Sequence, residues 1–154
     1  MWRSRRLLSR AAERRLVAAI GAAERGHRGE IGVHLEARYP GDGPLGRAAE
    51  LFAALGLDRT ADGTGVLLYV AVDDRKAAVF AGPGVHGAAA PEFWKAATDA
   101  VARGFAAGDP AGGLGEALAG IGDLLRQAAP GEDVHGDELP NRVTQGAPRA
   151  GGQR

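Results

Sequence analysis

The chain has 154 residues, of which 45% are hydrophobic, so a single domain with a substantial core is expected. Its formal net charge is zero, which argues against a molecule built as a whole to bind nucleic acid. There is no cysteine, which excludes disulfides, thiolate metal sites and cysteine nucleophiles, and no apolar run is long enough for a membrane span. We predict a cytoplasmic protein, because Leu7 and Leu8 are too brief an apolar stretch for a secretory signal.

The first predicted element is an amphipathic helix from Ser9 to Glu24, preceded by a basic extension over residues 1–8. Its apolar residues recur at steps of three and four, with Ser9 suited to the N-cap and Gly26 to the stop. The arginines between residues 3 and 15 could bind phosphate or acidic lipid. We favour a solvated helix face, because no aromatic residues interleave with them.

A strand is predicted over residues 30–38, where polar and apolar residues alternate. One face of such a strand packs on the core and the other stays exposed. The side chains predicted to face inward are Ile31, Val33 and Leu35, and those predicted to face outward are His34, Glu36 and Arg38.

The middle of the chain predicts a helix that ends at Gly56, a polar loop, and then a β-hairpin. Residues 66–72 are continuously apolar, which is typical of a strand covered on both faces and makes this the most buried strand. Asp73, Asp74 and Arg75 form the turn to a second arm over residues 76–81. Two helices follow, the first beginning at Pro91.

This order of elements predicts an α/β sandwich over a small mixed β-sheet, within residues 9–129. A right-handed crossover makes the first two strands parallel, and the hairpin makes the third antiparallel to the second. One edge of the sheet then gathers Glu30, the loop of residues 58–65 and the loop of residues 82–87. Residues 130–154 are predicted to be an acidic, then glycine- and arginine-rich tail that is largely disordered.

Oxygen-bearing side chains converge on that predicted edge, namely Glu30, Asp58, Asp62 and Thr64. A hard divalent cation such as calcium or magnesium needs several oxygen ligands from different segments, so these residues are candidate metal ligands. Capping and turn chemistry is the alternative that we favour, because aspartate and threonine in loops bond backbone N–H groups.

Residues 82–87 have the sequence Gly-Pro-Gly-Val-His-Gly and match the dinucleotide fingerprint G-x-G-x-x-G. We interpret the match as accidental, because the helix at Pro91 begins too late to direct its N-terminus at a pyrophosphate. His86 in this loop is a candidate general acid beside the predicted edge. A loop histidine without a catalytic role is the alternative, since the sequence fixes no partner for it.

Three stretches carry a resemblance to a known family: residues 19–31, the Gly-Val-Leu-Leu-Tyr-Val-Ala strand with Asp-Asp-Arg over residues 65–75, and Gly-x-Gly-Val at residues 82–85. Together with the spacing of Phe105, Gly108-Asp109 and the Gly-Gly-Leu of residues 112–114, they resemble the TPM domain over about residues 9–143. The Asp-Glu-Leu-Pro of residues 137–140 is similar to a tail motif of a bacterial subgroup without a secretion signal.

The resemblance implies an α/β/α sandwich that in some members binds a divalent cation such as calcium. The family includes a thylakoid-lumen acid phosphatase, and weak phosphatase activity accompanies some members. Thr64 stands where the family usually has asparagine, whose amide oxygen is a good ligand for a hard cation.

Two functions follow as hypotheses. The one we favour is a binding or assembly module, which contacts a protein partner through His34, Glu36 and Arg38 on the half-exposed strand and through Trp94 on the aromatic helix. The alternative is a divalent-metal-assisted phosphatase acting on phosphate monoesters, with His86 protonating the leaving group.

Overall fold

The computed structural model describes residues 7–132 and 143–146. These residues form four α-helices and one four-stranded mixed sheet, so the predicted α/β fold class is confirmed. The helices are α1 (Arg10–Ala23), α2 (Pro44–Ala54), α3 (Pro91–Ala106) and α4 (Pro110–Ala128). The strands are β1 (Glu30–Glu36), β2 (Gly65–Ala71), β3 (Lys76–Ala81) and β4 (Val143–Gln145).

The sheet has the strand order β3-β2-β1-β4. Strands β1 and β2 are parallel, with Glu30 opposite Gly65 at one end and Glu36 opposite Ala71 at the other. Strand β3 is antiparallel to β2, as a tight hairpin requires. The predicted directions of the first three strands are therefore confirmed.

Helices cover both faces of the sheet. One face packs against α1, α3 and α4. Leu16 and Ile20 of α1 and Ile121 of α4 are fully buried in this layer of the core. The other face packs against α2, where Leu51 and Phe52 meet the neighbouring strand β2. Because β2 lies between the two layers, every one of its residues is buried, as its unbroken apolar run predicted.

Two of the four described helices begin with a side-chain cap, and three begin with proline. The Ser9 side chain accepts a hydrogen bond from the Ala12 N–H at 3.0 Å, so the predicted N-cap of α1 is confirmed. Asp109 caps α4 in the same way through the Gly112 N–H. Proline opens α2, α3 and α4, at positions where the missing N–H has no intrahelical partner.

Helices α3 and α4 approach each other through two glycines. A Cβ placed on Gly104 would lie 2.6 Å from the Cα of Gly113, and one placed on Gly113 would lie 2.6 Å from the Ala100 carbonyl oxygen. No side chain fits at either position without moving backbone, so this crossing depends on glycine in both helices.

The predicted exposure of β1 is wrong for two of its three polar residues. His34 and Glu36 are only 1% and 4% exposed, while Arg38, beyond the end of the strand, is exposed as predicted. The alternating pattern suggested a face open to solvent, but the Arg47 side chain of α2 reaches Glu36 on that face and β4 pairs with β1 on its free edge. A strand in the middle of a sheet with helices on both sides is buried on both faces.

The segment predicted as a largely disordered tail, residues 130–154, contains strand β4. Val143–Gln145 pairs in parallel with β1, and the Gly146 N–H donates to the Leu35 carbonyl at 2.7 Å. Earlier in the same segment, Pro130 forms an isolated bridge with His27. The rest of the predicted tail, with the Asp-Glu-Leu-Pro motif, and the basic start at residues 1–6 lie outside the described residues.

Candidate functional site

The loops that precede β2 and follow β3 meet at one edge of the sheet, as predicted. The Gly84 N–H donates to the Gly63 carbonyl at 2.9 Å, and a Cβ on Gly82 would lie 2.5 Å from the same oxygen. The two loops are therefore in backbone contact, and the loop of residues 82–87 lies beside Asp62 and Gly63. His86 is exposed in this loop, with its own N–H donated to the Gly82 carbonyl.

Two of the predicted metal ligands lie close together below this contact. Glu30 is buried, and its N–H donates to the Thr64 carbonyl at 3.2 Å. Thr64 is also buried, and its hydroxyl has no hydrogen-bond partner within the described part of the chain. A buried hydroxyl without a hydrogen-bond partner is destabilising. The Thr64 hydroxyl is therefore a position where a ligand atom could bind.

The two predicted aspartate ligands are directed elsewhere. Arg28 Nη1 lies 2.6 Å from Asp62 Oδ2, and Asp58 is exposed with Arg59 Nε 3.9 Å away. Within residues 7–132 and 143–146, no three histidine or acidic side chains come together in a group that could hold a metal ion. The residues at this edge fit a divalent cation only in part, because the Asp62 carboxylate is already matched by a guanidinium.

A buried polar network that was not predicted from the sequence lies under α2. Arg47 places Nε and Nη2 at 2.8 and 2.9 Å from the two carboxylate oxygens of Glu36, and the Tyr69 hydroxyl donates to Oε2 of the same carboxylate at 2.5 Å. Burial alone would raise the pKa of Glu36, but the hydrogen bonds from Arg47 and Tyr69 outweigh it and lower that pKa. Burial raises the pKa of Tyr69, and its hydrogen bond to Glu36 raises it further.

His34 extends this network to β4. Its ring stacks on Tyr69, with Nδ1 2.5 Å from the Thr144 hydroxyl and Nε2 3.7 Å from Glu36 Oε1. Burial lowers the pKa of His34, although the neighbouring Glu36 carboxylate raises it. The network therefore joins α2 and three strands of the sheet, and its buried side chains form part of the interior and not of a binding surface.

The predicted partner-binding surface is consequently not present as proposed. Only Arg38 of its three strand residues is exposed, because His34 and Glu36 belong to the buried network. Trp94 is half-buried, with its ring edge-on to Phe93 at a centroid distance of 4.9 Å, and it packs against the core. These side chains therefore do not form one exposed surface.

A pocket of about 650 Å³ lies between the last turns of α3 and the hairpin that joins β2 to β3. We call it the hairpin pocket. Three of its side chains are polar, Arg75, Lys76 and Thr98, and the rest of its lining is apolar. The apolar lining consists of Val70, Ala71, Val72, Ala77, Val101, Ala102, Phe105 and Ala106.

The charged groups of the hairpin pocket are both cationic. Arg75 and Lys76 are exposed, and neither forms a salt bridge with any carboxylate in the described segments. Asp74 does not line the pocket and instead accepts a hydrogen bond from the Tyr39 N–H at 2.8 Å. The pocket thus combines an apolar interior with positive charge at its mouth.

Arg75 also has an unusual backbone. Its φ of 56° is in the left-handed region, where it is alone among the described non-glycine residues. That conformation costs an ordinary residue roughly 1 kcal/mol. The turn therefore keeps an arginine at a position that glycine would occupy with less strain. The sequence predicts that Arg75 lies in a turn. It does not predict the hairpin pocket, because the space between α3 and the hairpin depends on tertiary packing.

A family model described as TPM domain matches residues 3–124. The NMR structure of the BA42 protein from the psychrophilic bacterium Bizionia argentinensis is 32% identical, with a TM-score of 0.81 over 95% of this chain and 100% of that one. No curated protein matches the sequence.

Two further solved structures share the fold at lower identity. The N-terminal domain of the cg2496 protein from Corynebacterium glutamicum is 17% identical, with a TM-score of 0.60 over 82% of this chain and 79% of that one. An N-terminal domain from P. gingivalis is 23% identical, with a TM-score of 0.63 over 80% and 79% of the two chains. The described residues contain no helix long and apolar enough to cross a membrane.

Proposed function

Because this chain belongs to the TPM domain family, we propose that it is a binding module that holds an acidic segment of a partner protein, with apolar side chains, in the hairpin pocket. The observation that carries this proposal is the apolar pocket whose charged lining residues are Arg75 and Lys76. A module of this kind needs a surface that recognises a partner without chemical change, and the pocket offers one.

The size and lining of the pocket favour a short peptide segment. Its volume of about 650 Å³ falls within the range typical of ligand sites. Phe105 and Val72, both half-buried, offer apolar contacts to one or two side chains of the partner. At the mouth, the Arg75 guanidinium can pair with a carboxylate through two parallel hydrogen bonds, and Lys76 adds a second positive charge.

The first test measures binding of a defined probe to the full chain by calorimetry. The probe is a hexapeptide, blocked at both ends, with two leucines between pairs of glutamates, and its counterpart carries lysines in place of the glutamates. We expect the glutamate peptide to bind about tenfold more tightly at low salt, because each exposed ion pair contributes up to about 1 kcal/mol. Equal binding of the two peptides would remove the charge argument.

The second test blocks the pocket. Ala102 is exposed on α3 and lines the pocket, while Ala96 is exposed on the same helix and does not. Ala102→Trp should abolish binding of the glutamate peptide because the indole fills the mouth, whereas Ala96→Trp should leave it unchanged. If Ala102→Trp binds the peptide as well as the unaltered chain does, the pocket is not the binding surface.

A second candidate function rests on the Thr64 hydroxyl, which has no hydrogen-bond partner among the described residues and lies beside buried Glu30. It is hydrolysis of phosphate monoesters assisted by calcium or magnesium, held by Glu30, Asp58, Asp62 and Thr64. A bound cation would polarise a phosphoryl oxygen there. In this proposal Asp62 would leave Arg28 to hold the cation, water would attack the phosphorus, and His86 in the adjoining loop would protonate the departing alkoxide.

Thermal unfolding tests this candidate without measuring activity. A cation that binds only the native chain raises its stability, by about 2.7 kcal/mol at a hundred times the dissociation constant. We expect millimolar calcium, magnesium or manganese to raise the melting temperature, and Asp62→Ala but not the loop variant Asp42→Ala to remove the shift. If the unaltered chain shows no shift with any of the three cations, the phosphatase candidate falls.

A further inference from the structure

The outward side of α1 carries a line of arginines. Arg10, Arg14, Val17, Gly21 and Arg25 follow one another at steps of four, three, four and four, which keeps them on one side of the helix and of the turn that ends it. We call Arg10, Arg14, Val17 and Arg25 the α1 stripe. All four are exposed, and Val17, at 44%, is one of two large hydrophobic residues exposed in the described chain.

The acidic residues in and beside α1 leave most of the positive charge of the α1 stripe in place. Arg15, which is not in the stripe, pairs with Asp109 at 3.0 Å. Glu24 is directed inward and accepts the Ile31 N–H at 2.8 Å. Glu13 lines a surface depression of about 380 Å³ together with Arg10, Arg14 and Val17. Three exposed arginines therefore face outward along the helix around one apolar side chain.

Small residues make this side of the helix flat. Between Val17 and Arg25 the outward positions are Ala18, Gly21 and Ala22, and a Cβ on Gly21 would meet nothing within 4 Å. A flat helical face with long cationic side chains and an apolar residue between them suits a planar anionic surface more than the groove of a duplex.

We propose that the α1 stripe docks this protein on an anionic lipid surface, with α1 parallel to the membrane plane. The guanidinium groups pair with lipid phosphates and carboxylates, and Val17 contacts the boundary between head groups and acyl chains. Each arginine near such a surface raises the partition coefficient about fivefold, so the three of the stripe raise it about a hundredfold. This surface is independent of the hairpin pocket.

Co-sedimentation of the full chain with vesicles tests the proposal. Vesicles of phosphatidylcholine with 30% phosphatidylserine should bind the protein at about 50 mM salt, and vesicles of phosphatidylcholine alone should not. Arg10→Gln combined with Arg14→Gln should lower the partition coefficient about twenty-fivefold. The matched control, Arg38→Gln with Arg59→Gln, removes two exposed arginines elsewhere and should leave it unchanged.

Three results would overturn the proposal. The first is equal binding to both kinds of vesicle, and the second is an equal loss in the two double variants, which would mean that net charge alone matters. The third is binding to a random-sequence DNA duplex that is tighter than binding to the serine-containing vesicles at the same salt and equally sensitive to the Arg10 and Arg14 changes. Binding that also disappears at about 0.5 M salt, where charges are screened over a few ångströms, supports it.

Discussion

Glu36 is the residue on which the buried polar contacts under α2 converge. Its carboxylate accepts hydrogen bonds from Arg47 and from Tyr69, and His34 lies beside it. These side chains are removed from water, so each depends on the others for its hydrogen bonds. Removal of one member leaves the remaining groups buried without partners, which is where the cost of breaking such a network arises.

We predict that Glu36→Ala lowers the free energy of unfolding by about 3 kcal/mol, since it leaves the Arg47 guanidinium and the Tyr69 hydroxyl without their acceptor. Urea denaturation measures the change. Glu50→Ala is the matched control, because Glu50 also lies 3.6 Å from Arg47 but is exposed. It should change the unfolding free energy by less than about 1 kcal/mol. Equal effects from the two variants would contradict the role given to burial.

The buried histidines predict a decline in stability on the acid side. Burial lowers the pKa of both His27 and His34 below the usual 6.5. As the pH falls below 6.5, the unfolded chain takes up protons that the folded chain does not, so stability decreases by up to about 1.4 kcal/mol per pH unit for each histidine. The decrease ends when the pH reaches the lowered pKa of the folded state, and above 6.5 these residues contribute no slope.

The measurement is urea denaturation between pH 7.5 and 5. His34→Gln should remove the part of the acid slope that belongs to His34, whatever the variant does to stability at pH 7.5. The control is Leu45→Gln, which introduces the same amide at an exposed position without removing a titratable group and should keep the slope of the unaltered chain. An unchanged slope in His34→Gln would show that this histidine is protonated to the same extent in the folded and unfolded states.

At the scale of elements, the crossing of α3 and α4 provides a sharp packing test. Gly104→Ala should lower the unfolding free energy by about 2 kcal/mol, because the new methyl group meets the backbone of Gly113. Gly115→Ala is the control within α4, since the nearest atom to its new Cβ is 3.9 Å away. It should raise stability by up to about 1 kcal/mol through helix propensity. Thermal or urea unfolding of both variants separates the two outcomes.

Strand β4 is the second element whose contribution can be measured. A chain that ends after residue 142 loses the pairing with β1 and the Thr144 hydroxyl beside His34. We expect it to be about 2 kcal/mol less stable, because buried groups of β1 lose their partners. A chain that ends after Gly146 keeps these contacts and should match the full chain. If both truncations unfold at the same urea concentration, β4 adds nothing to the stability of the sheet.

Capping residues, prolines and apolar runs in the sequence correctly predicted helix starts and the buried strand β2. Ser9 and Pro91 marked helix starts, and the apolar run of β2 indicated a strand covered on both sides. The burial of His34 and Glu36 could not be seen in the same way. Their alternation with apolar residues has the same form in an exposed strand, and the partners that bury them are Arg47 in α2 and Thr144 in β4.

In the candidate sites, too, the positions of the loops could be predicted from the sequence, but the contacts of their side chains could not. The meeting of the Asp62 loop with the loop of residues 82–87 follows from strand order and handedness, so the sequence could predict it. That Asp62 faces Arg28 depends on side-chain placement at the loop surface. The hairpin pocket arises where α3 stands apart from the end of β2, and no periodic pattern in the sequence encodes that distance.

On the scale of the whole molecule, the two candidate functions occupy opposite ends of β2. Thr64 lies immediately before Gly65, the first residue of β2. The hairpin pocket is lined by the last two residues of β2 and by the turn that follows it. A seven-residue strand is roughly 20 Å long. Ligands at the two ends therefore act on separate groups, and a cation effect and a peptide effect can be assigned independently.

The most direct test of the binding-module proposal is a map of the residues that contact the glutamate peptide. Amide chemical shifts of the ¹⁵N-labelled full chain are followed while the peptide is added. We predict shifts confined to the hairpin from Val72 to Ala77 and to α3 from Thr98 to Ala106, and loss of these shifts in Arg75→Gly combined with Lys76→Gln. Glycine suits the left-handed backbone at residue 75, so that variant stays folded. Shifts centred on the loop of residues 82–87 or on α1, with the hairpin unmoved, would contradict the proposal.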